Sequence, residues 1–361
     1  MNKIELFDVL VVYSESLARS AAGENLVYKS PFAKGSKNES YNIVYGYFLE
    51  ICKRFGLKAA FATSADITGA GTCKSYWIYN QKKWRKINSA CYSTLIFDKF
   101  SPKKVGVKTR RELLFSSTKV KPFNDPTLFK LFFDKQMTFD KLAEYTIPTI
   151  TVNKKNIKTI KNSCDLLNLM TKNHPKSADF SQDIIMKDRY GAGGRHIHKI
   201  VNGDCKIMLA MANRNAGVDY VIQPFAKFEQ GFTYDDFQVS TDIRLIYLKG
   251  KIIQSYIRMA KQGDFRCNEH QGGSLNYLNI SQIPTFLVDK SNLIAKKLNN
   301  TCSLFTLDFI ISNNGNAYLL EGNTGPGLDW NMSLKKNTYE GKRLIRLVVK
   351  ELSNRSTTAV V

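Results

Sequence analysis

Short apolar runs and one helical pattern alternate through the first third of the chain. The run V-L-V-V predicts a strand over residues 7–13. Apolar residues recur at helical spacing over residues 41–55, and Gly56 follows as a helix C-cap. The remaining predicted elements are strands at 57–63 and 93–97 and a hairpin at 76–87. This order predicts a small α/β domain that ends near residue 123.

The rest of the chain also contains both strand patterns and helical patterns of apolar residues. Two hairpins are predicted, at residues 242–259 over Lys249-Gly250 and at residues 304–321 over N-N-G. Short strands at 184–187 and 196–200 are joined by a glycine-rich turn. The other predicted elements are helices at 134–145, 156–172, 205–213, 287–298 and 334–352 and strands at 147–150 and 220–225.

Residues 103–130 break the pattern with eight basic residues against Glu112 and Asp125. Pro122 and Pro126, with Pro102 just before, favour a connector over a core element. Two interpretations stay open, a patch that holds an acidic substrate and a solvated basic face.

Composition places the 361-residue chain among ordinary globular proteins, with 43% hydrophobic and 23% charged residues. It has no apolar run of about 18 residues, and Glu5 and Asp8 near the start are untypical of a signal peptide. We therefore expect a cytoplasmic protein without a membrane segment. Seven cysteines without a C-x-x-C pair, and only four histidines, indicate reduced thiols rather than a zinc site.

The net charge of +22 is the unusual feature of the composition. Such a surface attracts polyanions: nucleotide phosphates, acidic peptides, anionic lipid or nucleic acid, the last not favoured here. The alternative is a lysine-rich background composition with no specific partner.

The second late hairpin carries oxygen donors on both strands. Asp308 interrupts the apolar run T-L-D-F-I-I, and Glu321 and Asn323 end the strand Y-L-L-E-G-N. Paired strands lie about 5 Å apart, so the three side chains can converge. Two carboxylates and an amide suit Mg²⁺ rather than zinc. The alternative is polar residues with ordinary hydrogen bonds.

Lys187 ends a short apolar strand just before a glycine-rich turn. Backbone amides of Gly191, Gly193 and Gly194 could cradle phosphates, with the lysine as a point charge. The segment lacks G-K-[ST] and a following helix, so it is neither a Walker loop nor a dinucleotide fingerprint. A plain glycine-rich hairpin is the alternative.

Arginines mark the end of the first late hairpin. Arg258 closes its second strand, Arg244 lies in the paired strand, and the loop that follows contains Arg266 and Asn268 among glycines. The arrangement suits anion recognition, whereas exposed arginines on a sheet edge are the alternative.

Taken together, these segments closely resemble the ATP-grasp superfamily, in particular the RimK-type glutamate ligases and related peptide ligases. The resemblance covers about residues 126–332. It rests on D-K at Asp134 and Lys135 with Thr138, I-P-T at 147–149, Lys187 with its glycines, V-I-Q-P-F at 221–225, D-I-R at 242–244, G-D-F-R-C-N at 263–268, Asp308, and E-G-N-T-G-P-G at 321–327.

The resemblance implies an α/β (α+β) ATP-grasp fold in three parts. These are an N-terminal α/β pre-ATP-grasp domain at 1–124, a central subdomain with the glycine-rich lid at 125–219, and a C-terminal subdomain with the metal site at 220–355.

It also implies a role for each matching residue. Lys135, Lys187 and the three glycines would bind ATP phosphates, and Gln223, Phe225 and Ala226 would form the hinge that reads adenine. Asp242 would lie near the ribose, and Asn268 would bind the nucleotide. Arg258 and Arg266 would be catalytic, and Asp308, Glu321 and Asn323 would bind two Mg²⁺ ions, with Mn²⁺ as an alternative ion.

The implied activity is ATP-dependent carboxylate–amine ligation through an acyl phosphate, adding an amino acid to a peptide or protein. Its partners would be ATP, a carboxylate, an amine and an acidic peptide or protein, with a homo-oligomer left open. The alternatives are a non-catalytic polyanion-binding protein on the same fold and a ligase for a cell-wall or secondary-metabolite peptide.

Overall fold

The computed structural model describes residues 4–23, 29–154, 156–235, 238–300, 303–328 and 334–358. The chain divides into two compact units, Met1–Asp125 with Gly327–Val361 (unit 1) and Pro126–Pro326 (unit 2). None of the helices in the described ranges has an apolar stretch of the length that a bilayer crossing needs.

Among the residues described up to Asp125, unit 1 has ten strands and two α-helices. They are β1 Glu5–Leu6, β2 Val9–Tyr13, α1 Tyr41–Arg54, β3 Ala59–Thr63, β4 Ile67–Gly69, β5 Thr72–Cys73, β6 Tyr76–Asn80, β7 Lys83–Ile87, β8 Cys91–Tyr92, β9 Leu95–Lys99, α2 Val105–Leu114 and β10 Lys121–Pro122. A six-stranded sheet has the order β10-β9-β2-β3-β6-β7, with β2 parallel to both β3 and β9. A smaller sheet has the order β1-β8-β5-β4.

Unit 2 contains two antiparallel sheets. Its elements are α3 Pro126–Phe133, α4 Lys135–Leu142, β11 Ile150–Thr151, α5 Ile157–Lys172, β12 Phe180–Asp188, β13 Ile197–Ile200, α6 Cys205–Arg214, β14 Tyr220–Ala226, β15 Thr241–Leu248, β16 Lys251–Met259, β17 Ser274–Leu278, α7 Thr285–Leu298, β18 Leu304–Ile311 and β19 Ala317–Asn323. The four-stranded sheet has the order β11-β14-β12-β13, and the five-stranded sheet β17-β16-β15-β18-β19.

The predicted helix and hairpin positions agree with these elements, and the mixed α/β fold class is confirmed. The short strands β1, β4, β5, β8 and β10, and strand β17, were not predicted. The expectation of a connector at residues 103–130 was wrong, because that segment contains helices α2 and α3. Helix α2 is held by buried Leu114 and by an ion pair of 2.7 Å between Arg111 and Asp98.

The last helix, α8 Lys335–Thr358, belongs to unit 1, whereas the sequence placed residues 327–355 in the last of three parts. Its apolar stripe is buried, including Ile345, Val348 and Leu352. The guanidinium of Arg355 lies 4.3 Å from the ring centre of Phe123. Because this stripe is buried, helix α8 packs as part of unit 1.

Candidate functional site

A row of polar side chains crosses the five-stranded sheet of unit 2. Tyr256, Arg244, Asp308 and Glu321 are successive cross-strand partners on β16, β15, β18 and β19. Directly opposed residues of a pleated sheet project from the same face, so all four side chains share one face. A bulge beside Asp308 makes Leu320 the extra residue of β19, so the polar row lies at an irregular point of the ladder.

Two arginines hold the carboxylates of this face. Arg244 pairs with both oxygens of Asp308, and its Nε donates to Oδ1 at 2.6 Å. Arg258 donates to Asp308 Oδ2 at 2.9 Å and to the two oxygens of Asp242 at 2.7 and 2.8 Å. All four side chains are buried. Tyr256 accepts a further hydrogen bond from Arg244 Nη1 at 3.1 Å, so the cluster is a connected network.

Burial and pairing act in opposite directions on these carboxyl groups. Burial by itself raises the pKa of Asp308, but Arg244 and Arg258 lower it below its usual range. Burial raises the pKa of Asp242, and its pairing with Arg258 offsets this only in part. Two carboxylates side by side on a sheet repel each other, so the arginines make the arrangement stable.

The donor set of this face fits a hard divalent cation. A carboxylate oxygen has two lone pairs; Asp308 Oδ2 uses both on arginines, whereas Oδ1 accepts from Arg244 Nε alone. The opposed carboxylate of Glu321 is part-exposed, and its Oε1 is 3.9 Å from Arg244 Nη2. Asn323 lies two residues further on the same face, where its Oδ1 accepts from the Gly325 amide at 2.8 Å. These oxygens are the ligand type that Mg²⁺ prefers.

Lys187 lies on β12 of the four-stranded sheet and is nearly fully buried. Burial lowers the pKa of its ammonium group from 10.5 to about 7; the charge of Lys135 acts in the same direction, and Glu321 opposes it. The ammonium group of Lys187 thus interacts with the carboxylate of Glu321, although the two residues belong to different sheets. Both residues are part of one site.

The turn after Lys187 is anchored to the junction of α3 and α4. Arg189 donates to both oxygens of Asp134 at 2.7 and 2.6 Å, and Asp134 also caps α4. The ring of Tyr190 stacks on Phe133 at 5.2 Å. Lys135 Nζ donates to the carbonyl of Gly191 at 2.5 Å. The turn is therefore fixed at its first half, beside both predicted phosphate lysines.

The second half of the turn lies against the loop 261–273. Gly194 has a φ of +74°, and a Cβ there would lie 2.7 Å from Asn268 Oδ1. Both the backbone conformation and the close approach require glycine. Arg266 in the same loop pairs with Asp264 at 2.8 Å, and this hydrogen bond lowers the pKa of Asp264 to about 2.

The predicted hinge residues form the end of β14. Gln223 Nε2 donates to Thr149 Oγ1 at 2.7 Å, which joins the hinge to the I-P-T segment. Phe225 packs edge-on against Phe265 at 5.9 Å, and Lys199 Nζ lies 3.9 Å from its ring centre. This end of the site is an apolar, aromatic slot.

A cleft that opens to solvent connects these groups. The predicted residues that line it are Lys135, Lys187, Gly191, Gly194, Gln223, Phe225, Ala226, Asp242, Arg258, Arg266, Asn268, Asp308 and Glu321. Gly193 and Asn323 are not among its lining residues. The ribose role of Asp242 stays a prediction, since the contact seen for its oxygens is with Arg258.

Sequence reasoning gave no role to several residues of the site. Arg189 and Tyr190 anchor the glycine-rich turn, and Tyr256 anchors the arginine cluster. Arg195 and Asp188 also line the cleft. The only available signal was proximity in sequence to Lys187 and Arg258.

Known proteins resemble this chain in sequence and in fold. The family model of the RimK-like ATP-grasp domain matches residues 144–347, more than half of the chain. A protein of Vibrio vulnificus (strain YJ016) named probable alpha-L-glutamate ligase is 28% identical over 159 residues, which are 43% of this chain and 49% of the relative. A relative with the same name from Hydrogenovibrio crunogenus is 27% identical over 140 residues, 38% of this chain and 44% of that protein. The chain thus spans about half the length of the curated relatives it matches.

Solved structures resemble the chain over nearly its whole length. The D-cycloserine synthetase DcsG superimposes with a TM-score of 0.58 at 13% identity, over 96% of this chain and 99% of that one. D-alanyl-alanine synthetase A from Vibrio cholerae gives 0.56 at 12% identity, over 98% and 99%. The ATP-grasp ligase PsnB, complexed with a precursor variant, Mg and ADP, gives 0.55 at 11% identity, over 97% and 100%. At these identities the likeness is one of fold.

Proposed function

Since this chain belongs to the RimK-like ATP-grasp family, we propose that it is an ATP-dependent carboxylate–amine ligase. The observation that carries the proposal is the cleft in which buried Lys187 lies near Glu321, opposite the Arg244–Asp308–Arg258 cluster. A protein that only binds polyanions has no need for two carboxylates buried among its cations, because burying them is costly.

The proposed reaction has two steps. An oxygen of the substrate carboxylate attacks the γ-phosphorus of ATP, the bond to the bridging oxygen breaks, and ADP leaves. The amine nitrogen then attacks the acyl carbon, the C–O bond to phosphate breaks, and the nitrogen loses a proton. The products are an amide, ADP and inorganic phosphate, and no protein side chain becomes covalently attached.

The residues of the cleft would bind and orient the nucleotide. The aromatic slot beside Phe225 would take the adenine, with the backbone of Gln223 to Ala226 as its hinge. Lys135 and Lys187 would hold the phosphates under the glycine turn, while Arg258 and Arg266 would face the transferred group and Asn268 the nucleotide. Because Lys187, Arg258 and Asp308 are buried, their charges act strongly.

Asp308, Glu321 and Asn323 would hold Mg²⁺, with two ions expected and Mn²⁺ as an alternative. A bound ion neutralises charge on the phosphate oxygens. The chain's own contribution is to keep the Asp308 carboxylate ionised, through the pairs with Arg244 and Arg258.

We further propose that the reaction adds an amino acid to a peptide or protein, with an acidic chain as the favoured partner. The relatives named alpha-L-glutamate ligase and the precursor-bound PsnB support this class of substrate. The charge excess supports it too: unit 1 contains 28 basic and 13 acidic residues, whereas unit 2 contains 25 and 18. A ligase for a small cell-wall or secondary-metabolite peptide is the competing assignment, which the structural likeness to D-alanyl-alanine synthetase A keeps in view.

Isotope transfer tests the mechanism directly. Amino acids and acidic peptides labelled with ¹⁸O in their carboxylates are incubated with the protein, ATP and Mg²⁺, and ADP and phosphate are analysed. An acyl phosphate requires one ¹⁸O atom to appear in the released phosphate. The Glu321→Gln variant, which keeps the side-chain shape, is the inactive control.

Phosphate released without label would refute the acyl phosphate. Absence of substrate-dependent ADP release across the panel, in protein that binds ATP, would favour the non-catalytic polyanion-binding alternative.

A further inference from the structure

Two cysteines of unit 2 are in contact between neighbouring helices. Cys164 lies in the middle of α5, and Cys205 is the first residue of α6. Their sulfur atoms are 3.7 Å apart. Cys164 is buried, at 5% exposure, whereas Cys205 is part-exposed. The pair therefore combines contact between thiols with access from solvent at one of them.

The distance is short enough for bond formation. A disulfide has an S–S length of about 2.05 Å, so the two sulfurs need to approach by less than about 2 Å. Cys205 is the part-exposed member of the pair, so its thiol can meet an oxidant from solvent first. Burial and the neighbouring Cys205 raise the pKa of Cys164 to about 12, so Cys164 is the poorer first nucleophile.

Unit 1 contains a second pair of neighbouring cysteines, and neither of its thiols is accessible to solvent. Cys73 and Cys91 are directly opposed on β5 and β8, and both are fully buried. Hydrogen bonding to Cys91 and burial hold the pKa of Cys73 well above its usual value. This pair offers contact without solvent access, and it serves as an internal control.

We propose that Cys205 and Cys164 form a peroxide-sensitive dithiol that closes to a reversible disulfide between α5 and α6. The Cys205 thiolate attacks one oxygen of hydrogen peroxide, the O–O bond breaks, and hydroxide leaves, giving a sulfenic acid. The Cys164 thiolate then attacks that sulfur, and the sulfenic oxygen leaves as water. Two thiols are oxidised to one disulfide, and one peroxide is reduced to two waters.

The disulfide would link the two helices that pack against the four-stranded sheet of the cleft. Helices α5 and α6 pack on one apolar cluster with Ile184 and Met186 of β12, the strand that carries Lys187. A link at Cys164–Cys205 would therefore restrain the helices that support this strand. The inference concerns a modification site and does not depend on the proposed ligase activity.

The test uses the full-length reduced protein. After brief treatment with a small excess of hydrogen peroxide, free thiols are alkylated, and the protein is digested without reductant for mass spectrometry. We expect a peptide pair linked through Cys164 and Cys205, at least tenfold more abundant than a Cys73–Cys91 link and lost on treatment with dithiothreitol. Cys302, which lies outside the described residues, is distinguished by its own peptide.

Single variants test the order of attack. In Cys164→Ser, Cys205 has no resolving thiol, so dimedone should label it as a sulfenic acid. In Cys205→Ser, Cys164 should stay unlabelled. Absence of the wild-type crosslink, or equal formation of the Cys73–Cys91 link, would overturn the proposal, and these readings need no variant to fold. Equal labelling of Cys164 in Cys205→Ser would overturn the assigned order.

Discussion

Lys187 should make nucleotide binding depend on pH in the neutral to alkaline range. Its pKa is lowered from 10.5 to about 7, chiefly by burial and next by the charge of Lys135. The phosphates of ATP would add negative charge beside it and favour the ammonium form. Binding should therefore take up a proton whenever the free protein has lost it.

The size of the effect follows from the titration. Above its pKa the charged fraction of Lys187 falls about tenfold per pH unit, and the dissociation constant of ATP should rise by the same factor. Between about pH 7.5 and 9.5 this amounts to roughly a hundredfold, or about 2.7 kcal/mol. The phosphates of ATP are already ionised in this range, so they add little to the slope.

Calorimetric titration with a non-hydrolysable ATP analogue and Mg²⁺ measures this slope. Lys187→Arg is the matched control, because a guanidinium stays protonated throughout and its affinity should hardly change with pH. Lys187→Met should bind weakly at every pH. Parallel curves for the wild type and Lys187→Arg, or a flat wild-type curve, would remove Lys187 from the phosphate site.

The same shift predicts a change in stability without nucleotide. Because the folded pKa lies below the unfolded value of 10.5, the unfolded chain binds more protons between about pH 7 and 10.5. Unfolding free energy should rise with pH across this window, relative to Lys187→Met. Denaturant titrations of both proteins at several pH values measure the difference.

Three further predictions concern the anchors of the site. Glu321→Gln should lower turnover about 10²–10³-fold with unchanged melting temperature, since it removes the charge of a proposed Mg²⁺ ligand and with it charge stabilisation of the phosphates; turnover within tenfold of wild type would contradict its assignment. Arg189→Met leaves Asp134 buried without its cation, so it should lower the unfolding free energy by about 2–3 kcal/mol and raise the KM for ATP. The double variant with Asp134→Asn should recover much of this loss of stability. Strictly additive losses in the double variant would argue against the ion pair. Gly194→Ala should weaken ATP binding, whereas Gly315→Ala, with a similar φ of +80° but open space around it, should affect stability alone; equal effects on binding would contradict the Asn268 contact.

Local sequence patterns were sufficient for the hairpin that carries the candidate metal ligands. The apolar runs on either side of the N-N-G turn placed Asp308 and Glu321 on paired strands, where the structure has them directly opposed. The pairing of Asp308 with Arg244 and Arg258 could not be predicted from local sequence patterns. It depends on the register between β15 and β18, which is set by packing across the sheet.

The failed prediction of a connector also depended on tertiary contacts. Prolines and lysines around residues 103–130 suggested a connector, but Leu114 and the Arg111–Asp98 pair bury one side of α2. Helix α8 was visible from its apolar spacing, yet nothing in that spacing says which unit it covers. The pattern shows that one face of the helix must be buried, but long-range packing determines which part of the protein covers that face.

The charge of the cleft bears on the partner that the basic excess serves. Its lining residues include five cations, Lys135, Lys187, Arg195, Arg258 and Arg266, and four carboxylates, Asp188, Asp242, Asp308 and Glu321. With Lys187 only partly protonated near neutral pH, the lining is close to electroneutral. The net charge of +22 therefore arises outside the nucleotide site, and unit 1, with 28 basic and 13 acidic residues, supplies about two thirds of it. Because ATP does not account for that excess, the charge distribution favours the proposed acidic chain as the second substrate over a role of the excess charge in nucleotide binding alone.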